Sequence, residues 1–164
     1  QHYGITPDLI AFGKKMQVCG ILAGPEIDKT PENVFVEASR INSTWGGNLV
    51  DIVRAARYLE IIEQEKLVDN ARDVGTIFLR SLQLLEESYP GFFSNARGLG
   101  LMCAIDLPDS QTRDAILSEA YDRGALLLKC GTKSLRFRPP LTFSAAEVGE
   151  LMQILTDSAV CIRK

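Results

Sequence analysis

A chain of 164 residues with 46% hydrophobic and 24% charged side chains is long enough to bury a core and too apolar to be disordered. Its formal net charge of -3 gives no electrostatic case for nucleic acid or an anionic membrane, and no apolar run approaches the roughly 20 residues that span a bilayer. One histidine, His2, disfavours a histidine-rich metal site or a Ser-His-Asp triad, and the scattered Cys19, Cys103, Cys130 and Cys161 read as reduced thiols of a cytosolic core.

The chain begins at Gln1 and almost at once enters a strand, as a piece cut from a longer protein would. Leu9-Ile10-Ala11-Phe12 predicts a buried strand. Gly13 then allows a tight turn, and Lys14 and Lys15 follow where the chain leaves the sheet. Ligands of open α/β sheets collect at the carboxyl ends of strands. Lys14 is therefore a candidate amine nucleophile, activated by desolvation against a buried wall. A solvated Gly-Lys-Lys turn accounts for the same residues, and the stretch alone does not separate Lys14 from Lys15.

Ile21-Leu22-Ala23-Gly24 and Asn33-Val34-Phe35-Val36 predict two more short strands, with turns at Pro25 and at Asp28-Lys29-Thr30-Pro31. In "STWGGN", residues 43–48, Ser43 and Thr44 offer hydroxyls and Gly46 and Gly47 offer bare backbone N–H groups ahead of a helix. That composition suits a phosphate cradle, and equally a Gly-rich helix entry capped by Asn48. Leu49, Ile52, Val53, Ala56, Leu59 and Ile62 fall at helical spacing, with Asp51 in the first turn where a negative charge suits the dipole. A second helix runs from about Leu67 to Tyr89 with Ala71, Phe78, Leu79, Leu82 and Leu85 on its apolar face, and Pro90-Gly91 ends it. The domain boundary is expected within this helical section, near residues 65–75.

The remainder reads strand, helix, strand, strand, helix: a small α+β domain whose sheet is covered by helices. Leu101, Cys103, Ile105 and Leu107 share one face of a half-buried strand. Asp109 or Ser110 caps a helix that stops at Gly124. Leu126-Leu127-Leu128 and "SLRFR" are the next strands. Alternation in the latter puts Leu135 and Phe137 on one face and Arg136 and Arg138 on the other. Arginine binds carboxylates in bidentate fashion, although a wet face paired with acidic neighbours would use the same residues. Ser144 and Glu147 form an S-x-x-E capping box for a last helix with Val148, Leu151, Met152, Leu155 and Ala159 inward.

Taken in order, these segments resemble the fold-type I, class III aminotransferases, which use pyridoxal 5'-phosphate, from Gln1 to roughly Ala159. "TPDLIAFGKK" resembles the strand ending in the family's Schiff-base lysine, which falls on Lys14. "NSTWGGN" is similar to the segment whose threonine, here Thr44, reaches the cofactor phosphate of the neighbouring subunit. "RGLGLMCAIDL" resembles the strand that opens the C-terminal domain, and "LRFRPPLT" the segment whose arginine, here Arg136, holds the substrate α-carboxylate. "FGKKMQVCGI", "SRINSTWGGN" and "LRFRPPLT" look most like the branch that moves the ε-amino group of L-lysine to 2-oxoglutarate. Other branches act on ornithine, acetylornithine or 4-aminobutyrate.

The resemblance implies an α/β fold: residues 1–48 as the end of the large cofactor-binding domain, 49–75 as an interdomain helical section, and 76–164 as the small C-terminal α+β domain. It also implies a cytoplasmic homodimer with shared active sites, no metal, and no nucleic-acid or membrane partner. The family's aspartate for the pyridine nitrogen, its ring-stacking aromatic and its phosphate turn all precede the lysine and are not in this chain. The chain by itself is therefore expected to be inactive, a fragment that folds or dimerises without chemistry.

Overall fold

The computed structural model describes residues 2–41 and 44–163, and the chain divides into two compact units, Gln1–Gln64 and Glu65–Lys164. In the first, β1 (Leu9–Phe12) and β2 (Gly20–Ala23) form an antiparallel pair, with Leu9 opposite Ala23 and Phe12 opposite Gly20. The Phe12 ring lies so close over Gly20 that a Cβ there would collide with it. A 3-10 turn, Lys14–Met16, joins the two strands, and a second 3-10 segment, Pro25–Lys29, follows them. β1 was expected to be buried, but Leu9 and Ile10 are exposed. Among the described residues no other strand joins the pair, and that leaves the apolar side chains uncovered.

Residues 33–36, expected as a strand, form a turn. The buried Asn33 explains the difference. Its amide donates to the carbonyls of Ile27 and Thr30, and its Oδ1 accepts from the Phe35 N–H at 2.9 Å. Its own carbonyl accepts from Val36 and Glu37. A local side chain has captured the backbone groups that a ladder would need. Helix α1 (Leu49–Gln64) starts where Asn48 Oδ1 accepts from the Val50 N–H at 3.0 Å. Its apolar stripe, Leu49, Ile52, Val53 and Leu59, is exposed, and Ala55 is the buried member of the helix.

In the second unit α2 (Leu67–Ser88) precedes β3 (Ser94–Leu99), β4 (Met102–Asp106), α3 (Ser110–Asp122), β5 (Leu128–Cys130), β6 (Ser134–Phe137) and α4 (Ala145–Ile162). The four strands form one antiparallel sheet in the order β3-β4-β6-β5. Cys103, Ile105, Leu135 and Phe137 point from one sheet face into a single core. Phe78, Leu82 and Leu85 of α2, Ile116 of α3, and Val148, Leu155 and Ala159 of α4 complete it. At Gly75 a Cβ would run into the Gly100 backbone, so only glycine lets α2 come this close to the β3–β4 hairpin. Asp109, not Ser110, caps α3, accepting from the Thr112 N–H at 2.7 Å. The Ser144–Glu147 capping box is present in full.

Two strand boundaries differ from expectation. Leu126 and Leu127 lie outside the sheet, and β5 covers only Leu128–Cys130. Its partner β6 ends at Phe137, just ahead of Pro139-Pro140, which have no N–H to extend the ladder. β3 was not expected at all, because "SNARGL" shows no alternation. It forms through a bulge between Ser94 and Arg97, whose Asn95 and Ala96 N–H groups both donate to the Glu86 carboxylate at 2.9 Å. Among the described residues no helix is long and apolar enough to cross a membrane, and no cluster of metal-binding side chains occurs.

Candidate functional site

The three residues singled out from the sequence fall in different units: Lys14 and Thr44 in the first, Arg136 in the second. Lys14 opens the 3-10 turn directly after β1 and Gly13, in the left-handed region at φ 59°. That backbone state is uncommon for a residue with a Cβ, and such outliers concentrate at working sites. Lys15 shares the turn without it. Both lysines are exposed, so the desolvating wall expected beside Lys14 is not built from these residues.

Thr44 lies exposed in a turn that continues through Gly47, and Gly47 takes φ 71° just ahead of the Asn48 cap. Ser43, the other hydroxyl of the expected cradle, lies outside the described residues. The donor set suits a phosphate-bearing aldehyde in chemical type: a primary amine at a strand end, and a hydroxyl with glycine N–H groups before a helix. Lys14 directly follows the β1 strand and Gly13, and Thr44 lies in the turn ahead of α1.

Arg136 is the most distinctive of the three. It rises from the sheet face opposite the core, half-buried, while Leu135 and Phe137 on either side are buried below. Among the described residues its Nε is the buried side-chain nitrogen or oxygen that lacks a hydrogen-bond partner. The side chain lines a cavity of about 310 Å³ with Leu127, Arg138, Phe143, Glu147, Glu150 and Leu151. No acidic group among the described residues pairs with Arg136 or Arg138. A buried guanidinium nitrogen without a partner is costly unless a ligand supplies one. A carboxylate is the complementary group.

Sequence reasoning missed the polar network beside it. Asp106 lies opposite Ser134 in the β4–β6 ladder, two residues from the Ala104–Arg136 pair on the same face. Its carboxylate accepts from Ser134 Oγ at 2.6 Å, Arg97 Nη1 at 2.9 Å and Asn95 Nδ2 at 3.0 Å. The β3 bulge aims the last two donors. The available signal was an aspartate at an outward position of a strand whose inward positions are all apolar. Burial alone would raise the Asp106 pKa, but hydrogen bonds from Ser134, Asn95 and Arg97, with the Arg97 charge, outweigh it and hold the carboxyl below its usual range.

A depressed folded pKa contributes stability above the unfolded value of about 3.9, and that contribution is lost as pH falls through the folded value. Asp106→Asn should therefore lower the stability of the second unit by about 1.5–3 kcal/mol at neutral pH, the scale of hydrogen bonds to a charged group. The difference from wild type should shrink as the pH drops below about 4. Urea midpoints at pH 7 and pH 3 check this, and an equal deficit at both would refute it.

The sequence profile described as "Aminotransferase class-III" matches residues 1–159. The L-lysine-epsilon aminotransferase of Streptomyces clavuligerus is 48% identical over 163 residues, covering 99% of this chain and 36% of that protein. The mitochondrial 4-aminobutyrate aminotransferase of Sus scrofa is 33% identical, covering 96% of this chain and 31% of that protein. A solved lysine aminotransferase from M. tuberculosis superposes with a TM-score of 0.93 at 42% identity, over 98% of this chain and 37% of that one. The chain thus spans about a third of the length of the relatives it matches.

Proposed function

The chain belongs to the class-III aminotransferases, and from that membership we propose that it is the C-terminal portion of a cytoplasmic, homodimeric lysine ε-aminotransferase. The observation that carries the reading is the unpartnered Nε of Arg136, in a chain 48% identical to a lysine-epsilon aminotransferase and 33% identical to a 4-aminobutyrate aminotransferase. On this reading residues 1–48 end the large domain, 49–75 form the interdomain section and 76–164 the small domain.

Pyridoxal phosphate, when bound, supplies the electron sink that lets an amino group leave one carbon and join another. Lys14 would hold it through its Nζ, and the same amine would carry a proton to and from the reacting carbon of the substrate. The Thr44 hydroxyl would donate to the cofactor phosphate held by the neighbouring subunit. Arg136 binds the carboxylate far from the reacting ε-amine of lysine, and the α-carboxylate beside the ketone of 2-oxoglutarate.

Lysine labelled with ¹⁵N at the ε position, incubated with 2-oxoglutarate and the full-length protein, should yield labelled glutamate, and α-labelled lysine should not. Transfer from ornithine, acetylornithine or 4-aminobutyrate but not from lysine would move the assignment to another branch. In the same assay Arg136→Ala should raise KM for both substrates by roughly 10- to 150-fold, equivalent to about 1.5–3 kcal/mol for a charge-assisted hydrogen bond. Cofactor loading should be retained. Unchanged KM values would make Arg136 structural and Arg138 the next candidate.

A further inference from the structure

The turn that carries Lys14 is strained at both of its ends. Lys14 at φ 59° and Gln17 at φ 67° both occupy the left-handed region without being glycine. Such a conformation persists only where its surroundings over-determine it. The β1–β2 pairing fixes the start of the turn, with Phe12 held opposite Gly20. Within it, the Met16 N–H donates to the Gly13 carbonyl at 3.3 Å and the Gln17 N–H to the Lys14 carbonyl at 3.0 Å.

A side chain from far along the sequence holds the other end. Arg54 Nη1 donates to Gln17 Oε1 at 2.9 Å and approaches Asp51 Oδ1 at 3.4 Å, within the helix α1 that Asn48 caps. Arg54 thus links a rigid helix to the residue whose own N–H closes the turn on the Lys14 carbonyl. We propose that Gln17 and Arg54 are positioning residues that hold the Lys14 turn in its left-handed form and so fix the direction in which the Lys14 amine leaves the chain. The inference rests on the reading of Lys14 as the cofactor lysine.

The test uses the full-length protein, amide exchange at Met16 and Gln17, and pyridoxal phosphate with borohydride followed by peptide mapping. Wild type should carry its pyridoxyl group on Lys14 in preference to Lys15. Arg54→Met, which keeps a helix-forming stem, should speed Gln17 exchange several-fold and bring the Lys14:Lys15 ratio towards one. Gln17→Glu keeps an acceptor for Arg54, so it should preserve both readouts, but not in the Arg54→Met background. If Arg54→Met also loosens the helix, seen as faster exchange over 49–64, Gln17→Ala must reproduce the loss of Lys14 preference without touching α1. Unchanged exchange and labelling in both Arg54→Met and Gln17→Ala would overturn the clamp while leaving Lys14 as the cofactor lysine. A wild-type adduct on Lys15 with Lys14 free would overturn the reading of Lys14 itself, before any substitution is compared.

Discussion

Replacing Lys14 with alanine in the full-length protein is expected to lower kcat by at least 10²- to 10⁴-fold, the range that a single positioned proton carrier contributes. The loss should exceed that of any other substitution in residues 1–64. Lys14 is the lysine that directly follows Gly13 at the end of β1 and takes the left-handed backbone. Lys15, one residue on, does not take the left-handed backbone, and Lys15→Ala should change kcat little. Added ethylamine should restore part of the activity of Lys14→Ala, because a soluble amine replaces the missing proton carrier, and should do nothing for an inactive variant that is merely unfolded. Borohydride reduction and peptide mapping should find the pyridoxyl group on Lys14. Full activity in Lys14→Ala would remove the residue from the mechanism.

Phe78→Ala should destabilise the second unit by about 3–5 kcal/mol, the range for deleting a buried aromatic ring from a packed core. The ring is fully buried on α2 and meets Phe137 of β6 edge-on, with centroids 5.2 Å apart and planes at 70°. It also leans on Phe143, at 6.0 Å, in the segment before α4. One side chain thus joins α2 to the strand that carries Arg136 and to the wall of the cavity beside it. The collapse of such a site is resisted from three sides, which places the cost high in the range. Leu84→Ala serves as the contrast, since Leu84 lies exposed on the same helix α2 and should shift stability by less than about 0.5 kcal/mol. Urea unfolding followed through the second unit measures both. A loss below about 1 kcal/mol for Phe78→Ala would mean that the three aromatic rings do not form a shared core.

The helices were legible wherever chemistry is local. α2 and α4 have apolar periodicity, α4 has its Ser144–Glu147 box, and α3 has Asp109 at its start and Gly124 at its end. Each signal depends on residues three or four apart, so no distant partner is needed to interpret it. Leu101, Cys103, Ile105 and Leu107 declared their face by alternation, and all four are buried. Alternation also turned Arg136 away from the core. Lys14 and Thr44 were chosen by resemblance as much as by chemistry, since nothing local distinguishes Lys14 from Lys15.

What the neighbours decide was not legible. Residues 33–36 have strand composition, but Asn33 has several backbone partners within reach and a turn results. "SNARGL" has no strand pattern, yet Glu86, nine residues upstream of Asn95, accepts the bulge N–H groups and pins the segment to the sheet. The start of β5 is set by two prolines that follow its partner strand β6. The partners of Asp106 and the link from Arg54 to Gln17 join residues 9 to 37 positions apart. The sequence by itself determined the helices, the inward face of the central strands and the family. Only the tertiary structure decided strand edges, the Asp106 network and the unpartnered nitrogen of Arg136. Hydrogen-bond satisfaction is a property of everything within about 3 Å of an atom, and chain separation carries no information about that distance.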